Sequence, residues 1–166
     1  MKNRTRMLCR GAVIAALYVV LTEISVLCGL ASMSPQCRLG EALAVLPLMF
    51  PEAVAGLTLG CLIANLLSGA VLWDVIFGTL ATLLGALGCR LIARLWRGGG
   101  VVRTVVATLP NVVANTLIVP PVLRYAYHLE DAFLVLAVGV AAGELLAGTI
   151  LGTLLFGALS RVLHRK

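Results

Sequence analysis

EALAVLPLMFPEAVAGLTLGCLIANLLS, residues 41–68, is apolar almost throughout, and its punctuation is Phe50-Pro51-Glu52. Read as one helix, it makes the chain cross a membrane five times; broken at Pro51, it makes six crossings. Proline suits the first turn of a helix, and a carboxylate beside it favours the positive end of the helix dipole, so the local chemistry marks a helix start. Charge asymmetry then decides. With the break, Lys2, Arg4, Arg6, Arg10, Arg90, Arg94, Arg97, Arg103, Arg161, Arg165 and Lys166 all fall on one side. These are eleven of the thirteen basic residues, leaving Arg38 and Arg124 opposite. One long helix instead splits them five against eight. The positive-inside rule therefore selects six crossings with both termini in the cytoplasm.

The membrane itself follows from composition. Of 166 residues, 61% are hydrophobic and 12% charged, and mean hydropathy is +1.07. Soluble domains carry about 25% charged residues and cannot hide this much apolar surface. Apolar segments at 11–30, 41–50, 51–68, 72–89, 104–123 and 132–159 predict helices near 10–30, 37–50, 51–68, 72–96, 102–123 and 131–162. The whole chain, 1–166, reads as one all-α, six-helix membrane bundle. The basic N-terminus resembles that of a signal peptide, but the apolar run behind it is long enough to span ~30 Å of hydrocarbon. It reads as a retained first helix. Residues 41–50 are too few to span alone, so that helix either begins nearer Gln36 or is a short, partly sheltered segment.

Several function classes are excluded. Five cysteines (Cys9, Cys28, Cys37, Cys61, Cys89) lack metal or redox spacing and read as small packing residues. No metal site is expected. The basic residues form short clusters without aromatic interleaving, which argues against nucleic acid. No GxSG, HExxH or paired-His motif points to catalysis, and the two histidines, His128 and His164, lie near loop or chain ends. No catalytic residues are expected.

Polar side chains at membrane depth mark the site, because each is costly in lipid. At ~1.5 Å per residue, Asp74 and Asn65 lie within about 5 Å of the outer surface, Glu23 and Asn115 at about 10–12 Å, and Glu144 at about 18 Å. Arg38 and Glu41 sit at the outer rim. The inner half holds almost no polar side chain besides hydroxyls and Asn111. A cavity open to the outside produces this distribution. Plainer readings stand beside it: Asp74 as a helix cap, Asn65 and Asn115 as interhelical glue, Arg38–Glu41 as a rim ion pair. Trp73, Tyr125 and Tyr127 read equally as interfacial belt residues or as covers for a ligand. Glu144, between small residues and with no basic residue at its depth, needs a ligand, water or a proton.

The stretches Arg10–Tyr18, Gln36–Leu43 with Leu46-Pro47, Gly56–Cys61 with Asn65, Trp73–Leu83, and Leu109-Pro110-Asn111 with Asn115 resemble, in order and spacing, the QueT family. Its members are S-components, the substrate-binding subunits of energy-coupling factor (ECF) transporters, associated with uptake of queuosine precursors. The resemblance implies a non-enzymatic importer subunit in a prokaryotic plasma membrane. It would pair with a transmembrane T-component and two ATPase subunits, which use the ATP; this chain has no P-loop and would need no cofactor of its own. An AxxxA docking face maps to Ala12 and Ala16. The family's Arg-Ile-Ser-Glu-Ala appears here as Arg38-Leu39-Gly40-Glu41-Ala42, keeping the charges and losing the hydroxyl. A 7-deazaguanine offers adjacent N–H donors and a carbonyl. Glu144 or Glu41 suits the donors, and Asn115, Asn65 or Arg38 the carbonyl, with Trp73 over the ring and Asp74 beside it. A carrier driven by protons through Glu144 or Glu23 is the alternative, as is an S-component for another vitamin.

Overall fold

The computed structural model describes residues 2–30, 37–96, 98–127 and 132–164, all helix, turn or link, with no strand among the described residues. Gln36, Arg97, His128, Arg165 and Lys166, which entered the reading above, lie outside them. The elements are α1 (Lys2–Leu27), a 3₁₀ segment (Leu39–Leu48), α2 (Ala53–Leu67), α3 (Leu72–Leu95), α4 (Val101–Ala126), α5 (Phe133–Glu144), a π segment (Leu145–Leu151) and α6 (Gly152–His164). The last three form one continuous rod. Four helices are long and apolar enough to cross a membrane: Asn3–Leu27, Leu72–Leu95, Val101–Ala126 and Phe133–Leu163. Leu39–Leu48 and Ala53–Leu67 are apolar but shorter.

The break at Pro51 divides the stretch that opened the problem. After a turn over Pro51-Glu52, α2 begins at Ala53 and packs antiparallel to α1. Arg10 pairs with Glu52 at one end of that contact (3.5 Å), and Ser68 donates to Glu23 at the other (2.9 Å). Close approach is possible because α2 presents glycines. A Cβ on Gly56 would lie 2.6 Å from the Gly11 carbonyl, and one on Gly60 would lie 2.8 Å from Tyr18 Cβ.

The preceding ten residues form neither a long helix nor a lipid-facing one. A 3₁₀ helix rises ~2.0 Å per residue, so ten residues reach about 20 Å, short of ~30 Å of hydrocarbon. Irregular or strained backbone at membrane depth is tolerated where protein covers it, and here it does. Gly40, Glu41 and Leu43–Leu48 are buried. Leu43 and Leu46 pack with Ile14, Tyr18, Leu57 and Cys61, and Val45 and Leu48 pack with Cys89 and Ala107. The segment is thus the axis of the bundle, wrapped by α1, α2, α3, α4 and α6. A third cluster, Val119, Leu123, Leu136 and Val140, seals α4 against α5. Outward, Leu17, Val20, Ile63, Leu66, Leu87, Val113, Leu117 and Leu154 are exposed, an apolar coat suited to lipid.

Candidate substrate-binding site

At the end of the bundle where α1 finishes, Arg38 enters just ahead of the 3₁₀ segment. Its guanidinium donates to Asn65 Oδ1 of α2 and Asp74 Oδ2 of α3, both at 3.5 Å. Tyr127, just past α4, donates its phenol to Asp74 Oδ2 (3.1 Å) and accepts from the Val71 amide (3.4 Å). Partial burial and the Asp74 carboxylate raise the Tyr127 phenol above its ordinary pKa, so it remains a donor at neutral pH. Arg38, Asn65, Asp74 and Tyr127, with Thr22, line a cavity of about 190 Å³.

Deeper in, four elements converge on two carboxylates. Asn111 of α4 donates from one amide nitrogen to Glu41 Oε2 and to Glu144 Oε2, each at 2.9 Å. Tyr18 of α1 donates to the other oxygen of Glu41. The relay Tyr18–Glu41–Asn111–Glu144 is sealed from solvent: Glu41 is 2% exposed and Glu144 7%. Asn111 can sit there because α3 offers Gly85, where any Cβ would collide with its side chain. Asn115, one turn on, donates to the Asn111 carbonyl (3.1 Å). With Arg38, Val119, Val140 and Glu144 it lines a second, much smaller polar chamber of about 10 Å³. Arg38 borders both spaces.

Six of the seven ligand-binding residues expected from the sequence are therefore neighbours: Arg38, Glu41, Asn65, Asp74, Asn115 and Glu144. Asp74 also starts α3, yet it is 2% exposed and paired with Arg38, so it is more than a cap. Arg38 pairs with Asp74; among the described residues it forms no ion pair with Glu41. Trp73 stands apart. It is 58% exposed, stacks on Phe77 (5.9 Å between centroids) and lines an apolar outer pocket with Ile118, Pro121 and Tyr125. Neighbours in sequence on a helix point about 100° apart, so Asp74 turns inward and Trp73 outward. Two members of the relay, Tyr18 and Asn111, were not among the residues expected to bind ligand. Asn111 signalled itself as the one amide in the inner half; Tyr18 gave no signal beyond being an aromatic in an apolar run.

A family model described as QueT transporter matches residues 8–161. The chain belongs to the QueT transporter family. The match spans nearly every element and includes all the site residues, so these polar groups belong to a membrane transport protein and a small-molecule substrate is implied. No curated protein and no solved structure matches the chain. QueT is a transporter family, and membership in it points to transport over catalysis. No grouping of three or more His, Cys, Asp or Glu side chains able to hold a metal occurs among the described residues.

Proposed function

We propose that the chain is the S-component of an energy-coupling factor importer that captures a queuosine precursor of the 7-deazaguanine type from outside the cell. The observation that carries this reading is the buried, acceptor-rich relay beside Arg38 in a chain of the QueT family. A guanine-like edge presents adjacent N–H donors and a carbonyl. Carboxylates take the donors, and Arg38, Asn65 or Asn115 supplies the complementary contact. The chain would cross a prokaryotic plasma membrane six times with both termini cytoplasmic, the 3₁₀ segment being the second, sheltered passage. Basic residues at the α3–α4 end support that orientation. The cavity then opens outward.

ATP would be used by partner subunits. Ala12 and Ala16 lie exposed on α1, and Ala12 borders an apolar groove of about 480 Å³ with Met7, Leu8, Ala55 and Leu59. That groove is a fitting seat for a T-component helix. The test is partner dependence. Detergent-solubilised chain should bind a radiolabelled 7-deazaguanine, while uptake into vesicles should require the ATPase module as well. Uptake by this chain alone, collapsing with the proton gradient, would instead establish a carrier working through Glu144 or Glu23. Co-purification of an unrelated vitamin would leave the subunit class standing and replace the substrate.

A further inference from the structure

The pocket that Trp73 lines lies outside the polar site, on the lipid side of α3 and α4. These two helices meet closely in their inner halves, where a Cβ on Gly85 would collide with Asn111 and one on Gly88 with the Pro110 ring. Towards the other end, bulky side chains stand in place of the glycines. A groove of about 370 Å³ opens there between Trp73 and Phe77 of α3 and Ile118, Pro121, Val122 and Tyr125 of α4. Its orientation is opposite to that of the polar cavity, since Trp73 is 58% and Tyr125 75% exposed. The floor is hydrocarbon. Trp73 and Phe77 stack along one wall, and Pro121 brings no N–H to the other.

Polar chemistry is confined to the rim. Trp73 and Tyr125 carry the ring N–H and O–H that hold such side chains at headgroup level in membrane proteins. Arg124 precedes Tyr125, ~1.5 Å away along the helix axis, and is exposed. Arg38, the other basic residue towards this end, is turned inward onto Asp74. The ion pairs among the described residues are Arg10–Glu52 and Arg38–Asp74, and neither involves Arg124. A hydrocarbon groove with a cation and two ring donors at its mouth complements a phosphate joined to an acyl chain. We propose that this groove is a phospholipid site. One acyl chain lies between the Trp73–Phe77 stack and Ile118–Pro121, and the phosphate is held at Arg124 beside Trp73 and Tyr125. On the topology proposed above, the lipid comes from the outer leaflet.

The groove contains its own reporter. The chain has two tryptophans, and Trp96 follows the far end of α3, so Trp96→Phe leaves Trp73 as the only indole. This full-length variant, in detergent, is titrated with phosphatidylglycerol brominated along its acyl chains, because bromine quenches an indole only at close range. Quenching should saturate at about one lipid per chain, as a single-chain groove requires. Adding Arg124→Gln should raise the half-saturating lipid concentration about fivefold, the loss of one cation–lipid contact of ~1 kcal/mol. Adding Ala126→Phe, which fills the groove, should abolish the saturable phase. Quenching that rises with lipid mole fraction without saturating, alike in all three chains, would overturn the proposal, since Trp73 would then meet annular lipid only. Saturation unchanged by Arg124→Gln would overturn the placement of the phosphate. No quenching at all would also overturn the proposal, and sedimentation would show whether a second copy of the chain covers the groove. If Ala126→Phe does not fold, saturation and the Arg124→Gln shift still decide. No solute enters the experiment, so the functional reading stands whichever way it falls.

Discussion

Asn111→Ala is the sharpest single perturbation of the site, because one amide orients both carboxylates. The variant removes two hydrogen bonds, each 2.9 Å long and each to a carboxylate. Hydrogen bonds to charged groups contribute ~1.5–3 kcal/mol apiece, so about 3–6 kcal/mol is at stake before water enters the space left behind. If only half of the lower figure is expressed in ligand binding, the affinity for a 7-deazaguanine falls about tenfold. The remainder appears as lost stability. Calorimetric titration and thermal unfolding in the same detergent measure the two shares. Asn115→Ala is the contrast, since its amide donates only to a backbone carbonyl one turn away while the side chain lines the small chamber. It should weaken binding with little change in melting temperature. An Asn111→Ala chain within twofold of wild-type affinity and unchanged in melting temperature would refute the relay as an organising element.

Arg38→Lys should weaken ligand binding at least severalfold, because a single ammonium cannot reproduce the fork that reaches both Asn65 and Asp74; binding isotherms across the two chains test this. Gly60→Ala drives a Cβ to 2.8 Å from Tyr18 Cβ and 2.9 Å from the Ala15 carbonyl. It should destabilise the fold by ~1–3 kcal/mol, whereas Gly157→Ala, which meets nothing within 4 Å, should leave the melting temperature unchanged. Ala16→Trp, on the exposed face of α1, should leave ligand affinity within twofold of wild type and abolish uptake in vesicles carrying the ATPase module.

The helical class was legible because nothing but lipid accommodates 61% hydrophobic residues in this pattern, and Pro51 marked the start of α2 within two residues. The convergence of Arg38, Asn65, Asp74, Asn115 and Glu144 was legible too, since polar groups gathered in one half of the membrane on different helices have few other places to go. What stayed hidden depends on facing and on neighbours. Leu39–Leu48 is apolar apart from Glu41, and neither that residue nor Pro47 announces a 3₁₀ segment buried by the helices around it. The inward turn of Tyr18 and the outward turn of Trp73 depend on helix rotation, which a near-uniform apolar sequence does not encode. The role of Asn111 depends on Gly85 and the two glutamates around it, which lie far from it in sequence.

The π segment between α5 and α6 absorbs one extra residue in the last rod. A π turn holds roughly one more residue than an α turn, and each residue of an α-helix turns the chain by ~100°. Glu144 lies just before this insertion, and Leu155, Phe156 and Leu159, which pack into the core, lie after it. Deleting one residue from Leu145–Leu151 would restore a regular helix of nearly the same length and hydropathy, indistinguishable by any measure of membrane insertion. It would also leave the glutamate and the leucines on nearly the faces they have now, because seven π residues turn the chain about as far as six α residues do. Straightening the segment into an α-helix with all seven residues kept is what would turn one of them away. The π turn thus holds an extra residue without putting the two halves of the rod out of register.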